Sequence, residues 1–208
     1  LPDDHFAIAD LSDAQAVRDA ITGMDAVLHF GAAPDPEATF EEVLNSNIIG
    51  TYNVLEACRL AGVHRLVYAS SIMVSHGYFQ HTEPYKSIQD CRWHDIPATL
   101  SRITHKDPPR PTEPYSASKV YGEGICRMYA DAHAISTICL RLGYVNKQDV
   151  CEMPFANSIW FSQRDCVNCI DLALQATAEP MFEICYGVSD NKHRWVDLEH
   201  TREVLGFI

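Results

Sequence analysis

Tyr115 and Lys119 lie four residues apart in the stretch PYSASKVYGE, residues 114–123. On a helix, positions four apart project from one face, so a phenol and an ammonium would stand side by side. A free phenol titrates at about 10, too high for a base at neutral pH. A neighbouring ammonium favours the phenolate and draws that value toward the working range. A positively charged nicotinamide ring pushes the same way. The chemistry this pair suits is removal of a hydroxyl proton as hydride leaves the adjoining carbon for a nicotinamide. Y-x-x-x-K by itself also occurs as an ordinary surface pair. Here, though, it follows the proline-rich run DPPRPTEP (107–114) and an apolar run ending in Ser70-Ser71, and it precedes another apolar run.

The elements that position the pair are visible in the apolar pattern. HFAIA (5–9) alternates as a short strand would and ends at Asp10. Ser12 is placed to cap the next helix, which closes at Gly23. DAVLHFGAA (25–33) is a near-continuous apolar run ending in small residues, as in a buried parallel strand. An amphipathic stretch from Thr39 stops at Gly62, HRLVYASS (64–71) is the next strand, and residues 72–114 form an irregular loop. A helix over 115–134, a strand over 136–145, a helix opened by Ser162, the strand FEICYGVSD and a last helix capped by Asp197 complete the series. This alternation predicts an α/β fold with a parallel sheet. The expected division is a nucleotide-binding part over 1–145, containing the 72–114 loop, and a small substrate-binding part over 146–208.

Composition narrows the partners. The chain has 208 residues, 47% hydrophobic and 21% charged, which suits a soluble globular protein. A net charge of -12 without any lysine- or arginine-rich run argues against nucleic acid. No apolar stretch approaches a membrane span. The eight cysteines follow no framework spacing and sit mostly in apolar patterns, which fits a reducing cytoplasm. Cys166-x-x-Cys169 has no companion pair, so it reads as packing. His76, His81, His94 and His105, with Asp90, Asp95 and Asp107, share the irregular loop at spacings that match no metal pattern. No metal site is expected.

Taken in order, Asp10-Leu11, HFGAA (29–33), NSNIIGTYNVLEAC (45–58), LVYASS (66–71), PYSASK (114–119) and LRLGYV (140–145) resemble the extended short-chain dehydrogenase/reductases, the NAD-dependent epimerase/dehydratase group. The resemblance covers nearly the whole chain. It implies a Rossmann-like doubly wound parallel sheet and NAD or NADP as cofactor. It also implies roles. Tyr115 would be the general acid/base, and Lys119 would bond the nicotinamide ribose and lower the tyrosine pKa. Ser71, with Ser70 as the alternative, would hold the substrate oxygen, and Asn47 would support the hydrogen-bond network. Asp10 and Leu11 would border the adenine. Gly31, Ala32 and Ala33 would let the backbone approach the cofactor, with Ser70, Leu142 and Gly143 also lining it. Members usually dimerise through two long helices, here 40–61 and 115–134.

The glycine-rich turn that binds pyrophosphate in dinucleotide folds is absent from this sequence. In the family it precedes the strand ending in Asp-Leu, and here that pair stands at residues 10–11. The first strand, first helix and second strand are thus expected to be missing, so that the chain is a fragment of a longer protein. Because those strands are central in a doubly wound sheet, their loss would leave strand 5–9 without a partner and an apolar edge open.

The second half is similar to the uronate dehydrogenases of that family, which oxidise a sugar acid to a lactone. The likeness lies in SIWFSQRD (158–165), CYGVSDN (185–191) and WVDLEHTREVLGF (195–207). It departs at Pro34, where that branch has serine, and at Ile72-Met73, where it has Asn-His. No arginine lies between Arg141 and Arg164 to clamp a carboxylate. The substrate implied is a small sugar-like alcohol, with a neutral sugar, a lactone or a nucleotide-sugar as alternatives to uronate. Two other readings remain: an epimerase or dehydratase, which Ile72-Met73 disfavours by offering no carboxylate, and a non-catalytic nucleotide-binding relative.

Overall fold

The computed structural model describes residues 6–35, 37–176 and 182–208. Among them, four parallel strands form one sheet in the order β1 (Ala26–His29), β2 (Arg65–Ser71), β3 (Ser136–Leu142), β4 (Phe182–Gly187). Because β2 and β3 are buried on both faces, they read as unbroken apolar runs. Helices cover both sides. On one side α1 (Ala14–Ile21), α3 (Gly50–Ala61) and α6 (Pro114–His133) enclose Leu55, Cys58, Leu66, Tyr68, Cys126 and Cys139. On the other, α7 (Gln163–Gln175) and α8 (Glu199–Leu205) pack on Val67, Ile138, Leu140 and Cys185. This is the doubly wound, Rossmann-like arrangement.

Local chemistry sets most boundaries as the sequence implies. Gly62 takes the left-handed conformation that ends α3, and Ser162 accepts from the Asp165 N–H to open α7. Two caps differ. Asp13, rather than Ser12, caps α1, because Ser12 donates to Asp10 instead. Leu198 occupies the cap of α8, while Asp197 still accepts from the His200 N–H.

The expected strand at 5–9 is not formed. His5 lies outside the described residues, and residues 6–9 pair with no strand, leaving Phe6 and Ile8 exposed. A strand needs a neighbour for its backbone groups, and no described segment offers one there. The adjoining edge at β1 is apolar, with Leu28 45% and Phe30 40% exposed.

The 72–114 segment is more ordered than an irregular loop. It carries a 3₁₀ turn (Ile72–Ser75), α4 (His76–His81), α5 (Tyr85–Gln89) and a second 3₁₀ turn (Trp93–Asp95). Ile103 bridges to Val196, so this segment shares a core with the C-terminal part: Phe79 stacks on Trp195 at 5.2 Å, among Ile72, Ile88 and Tyr186. Residues 146–208 in turn supply β4 to the common sheet. The periodicity of 72–114 is too short to announce helices, but their apolar residues find one another.

One close approach sets the spacing of α6 from the sheet. A Cβ at Gly122 would lie 2.0 Å from the Tyr68 hydroxyl oxygen. Alanine normally stabilises a helix interior relative to glycine. Gly122→Ala is expected to do the opposite and destabilise by about 1–3 kcal/mol through overpacking. Urea denaturation measures this, and a midpoint at or above the parent's would contradict it.

Candidate active site

The candidate residues converge at the carboxyl ends of β1, β2 and β3, where open α/β sheets bind their ligands. Helix α6 begins at Pro114, whose ring is pre-set for a first helical turn, with Glu113 as the cap accepting from the Ser116 N–H. That start places Tyr115, Lys119 and Glu123 on successive turns of one face against the end of β2. Lys119 is 4% exposed, and its Nζ donates to the Ala69 carbonyl at 2.7 Å. The same nitrogen lies 5.6 Å from the centre of the Tyr115 ring. Ser71 ends β2, is buried, and accepts from the Met73 N–H at 3.2 Å.

Asn47 joins the two sides of the site. It sits in a π-helical stretch (Val43–Ile49) between α2 (Phe40–Glu42) and α3. Its Oδ1 accepts from the Ala33 N–H at 2.7 Å, and its Nδ2 donates to Ala33 O at 3.2 Å and to Ser118 Oγ at 3.0 Å. Ser118 donates to the Tyr115 carbonyl at 2.6 Å. One buried amide thus ties the small-residue turn after β1 to the first turn of α6. Widened helical turns of this kind concentrate at functional sites.

Electrostatics in the site are governed by burial. Burial lowers Lys119 to about 8. It raises the Tyr115 phenol above its ordinary value, with the Ser71 hydroxyl pulling downward and the Glu113 charge adding to the rise. The expected acidifying pull of Lys119 on the phenol therefore does not dominate. Burial also holds His29 down at about 3, assisted by Lys119, so that this imidazole stays neutral against Thr51 Oγ1 at 3.1 Å.

Other expected positions divide. Asp10 is exposed and accepts from the Ser12 N–H and hydroxyl. Leu11 fills the space left by the missing side chains of Gly31 and Gly50, and its carbonyl accepts from Asn53 Nδ2. A Cβ at Gly143 would meet the Ile159 carbonyl at 2.2 Å, so this glycine already answers to protein packing. Leu142 is half-buried at the end of β3. Ser70 is turned inward: strand alternation puts it with Leu66 and Tyr68 under α6, where its hydroxyl donates to Glu123 Oε1 at 2.7 Å. That bond engages the Ser70 hydroxyl with α6.

Three features of the site were not identified from sequence. They are the π turn that aims Asn47, the Ser118 bridge, and the pair formed by Glu123 with Arg141. The serine lay within PYSASK. The ion pair had as its signal Arg141, the one charged residue in the otherwise apolar run of β3. Of the remaining expectations, Cys166 and Cys169 lie on α7 with free thiols, Cys169 buried against the sheet. Tyr144 and Trp160 pair backbones and pack rings at 5.8 Å. No group of three His, Cys, Asp or Glu close enough for a metal occurs among the described residues. No helix among them is long and apolar enough to cross a membrane.

The donor set fits half of a nicotinamide dinucleotide. Lys119 spends one of its three N–H bonds on Ala69 and keeps two for a ribose diol, beside a phenol and a serine hydroxyl. The residues present do not supply a glycine-rich pyrophosphate turn. A parallel sheet wound on both faces, with Tyr-x-x-x-Lys at its carboxyl edge, defines a dinucleotide-type α/β protein. The comparisons narrow that class. Residues 1–146 match the NAD dependent epimerase/dehydratase family, and the chain belongs to it. It is 32% identical over 201 residues to the NAD-dependent glucose-6-phosphate dehydrogenase of Haloferax volcanii, covering 96% of this chain and 73% of that protein. It is 33% identical over 209 residues to the uronate dehydrogenase of Pseudomonas putida, covering 100% and 68%. The solved uronate dehydrogenase of Agrobacterium tumefaciens superposes with a TM-score of 0.77 at 30% identity, covering 96% of this chain and 66% of that one. This chain thus spans just under two thirds of that solved chain.

The lowered Lys119 value has a consequence for stability. Below about 8 the buried ammonium costs folding energy. Between there and the ordinary 10.5, the unfolded chain keeps a proton the folded chain has shed, so rising pH favours the fold. Lys119→Met is expected to be more stable than the parent at pH 7 by about 1–3 kcal/mol. The gap should close across that window. Urea titrations at several pH values measure it, and a gap independent of pH would refute the assignment.

Proposed function

We propose that the protein belongs to an NAD-dependent oxidoreductase acting on a hydroxyl of a sugar or sugar acid. The observation that carries this is the arrangement at the end of β2, with Lys119 Nζ on Ala69 O and 5.6 Å from the Tyr115 ring, and Ser71 beside the phenol. Relatives named as glucose-6-phosphate, uronate and L-arabinose dehydrogenases support the substrate class. NAD, when bound, would supply the hydride acceptor for the alcohol carbon. The residues do the rest: Ser71 holds the hydroxyl, Tyr115 takes its proton, Lys119 bonds the ribose and stabilises the phenolate, and Asn47 fixes the turn at Ala33 against α6. Asp10, Leu11, Gly31, Ala32 and Ala33 border the cofactor, with Leu142 and Gly143 at the end of β3. The substrate lies between this edge and the part formed by residues 146–208.

Epimerisation is the second reading, favoured by the family. A second copy of the chain is the proposed partner. Ile49, Tyr52 and Leu60 on the 40–61 helical run and Tyr121 and Met128 on α6 are exposed apolar side chains that such a copy would cover. The free cysteines support a cytoplasmic location as part of this reading.

Tyr115→Phe is expected to lower NAD-dependent turnover of an aldose or uronate by about 10²–10⁴-fold, since it removes the proton acceptor. NADH binding, followed by its fluorescence, should stay unchanged. Equal turnover by parent and variant would end this mechanism. Absence of NADH binding in a version carrying the glycine-rich segment would end the enzyme reading.

A further inference from the structure

Glu123 and Arg141 form an ion pair inside the protein, 4% and 1% exposed. The contact is two-pronged: Arg141 Nε donates to Glu123 Oε1 and Nη2 to Oε2, each at 2.8 Å. Removing two charges from water is costly, and such a pair stabilises a fold little more than apolar residues of the same volume. What the pair does is better seen in what it holds. Glu123 Oε1 also accepts from Ser70 Oγ at 2.7 Å. Arg141 Nη1 donates to the Tyr186 hydroxyl at 3.0 Å, which lies 2.7 Å from Ser75 Oγ.

Sheet register explains why these residues meet. Ser70 stands opposite Arg141 across β2 and β3, and Arg141 opposite Tyr186 across β3 and β4. The three form one row on the face that α6 covers, and Glu123 descends onto it. Ser70 immediately precedes Ser71, and Ser75 closes the 3₁₀ turn that Ser71 caps. The chain is therefore clamped on both sides of Ser71. On α6, Glu123 continues the stripe of Tyr115 and Lys119 at the same four-residue interval. The three side chains address consecutive strand residues: Glu123 on Ser70, Lys119 on Ala69, and Tyr115 by Ser71.

We propose that the Glu123–Arg141 pair, acting through Ser70 and through Tyr186 and Ser75, is a positioning device that sets the Ser71 hydroxyl against the Tyr115 phenol. Glu123 is then a third functional member of the helix stripe, and neither charged group touches substrate. The proposal rests on the reading of Tyr115 and Ser71 as the reacting pair.

Breaking the ion pair leaves one buried charge and endangers folding, so the test cuts its two arms. Ser70→Ala and Tyr186→Phe each keep Glu123 on Arg141. The chain is labelled with 3-fluorotyrosine, which titrates under milder conditions, and the Tyr115 resonance is assigned with Tyr115→Phe. The midpoint of Tyr115 is expected to rise by about 1–2 units in both variants, the worth of one hydrogen bond to the charged phenolate. In active protein, kcat should fall about tenfold with KM little changed, as for a displaced reacting group. Folded variants with an unmoved Tyr115 midpoint would overturn the proposal and reduce the network to a structural one. Because the fluorine titration needs no turnover, it decides the proposal even if the parent oxidises no sugar, a result that would instead defeat the functional reading.

Discussion

The site depends on a helix laid on the end of a strand with no slack between them. Glycine at position 122 lets α6 come close enough to touch Tyr68, and from that closeness follow the reach of Lys119 to a backbone carbonyl and of Glu123 to a serine hydroxyl. A longer helix–sheet distance would leave both charges buried without partners, at a cost several kcal/mol beyond what a domain tolerates easily. The tyrosine is positioned because everything C-terminal to it on the same stripe is already anchored.

That anchoring explains why burial, rather than the neighbouring ammonium, governs the phenol. A dry site raises the phenol and lowers the lysine together, since both charged forms lose solvation. Charge introduced into such a site acts more strongly than it would in water. The protein thus holds the Tyr115 phenol neutral and the Lys119 ammonium fixed on a backbone carbonyl. A cationic group placed beside them would tip the phenol toward ionisation.

The other wall has a different origin. Residues 72–114 pack their short helices onto Trp195 and Tyr186, so the segment following the catalytic-type serine and the C-terminal part share one core. Tyr186 belongs to that core and to the polar row under α6. Movement of the C-terminal part would therefore be felt at Ser75, on the far side of Ser71. The open β1 edge and the unpaired residues 6–9 stand at the other end of the sheet.

Much was legible in the residues alone. Unbroken apolar runs bounded by Gly62 and Ser162 marked the strands and helices, because burial on two faces and helix capping are local requirements. Tyr115 and Lys119 declared themselves through a four-residue interval, which a helix converts to a shared face without outside help. What sequence could not decide was partnership. Strand 5–9 had the right alternation but no neighbour, and a strand exists only through its pairing. Ser71 was preferred to Ser70 only by resemblance; sheet register is what sends Ser70 to Glu123. The sign of the Tyr115 shift likewise awaited the fold, since desolvation depends on everything packed around a group and an interval of four residues encodes only one neighbour.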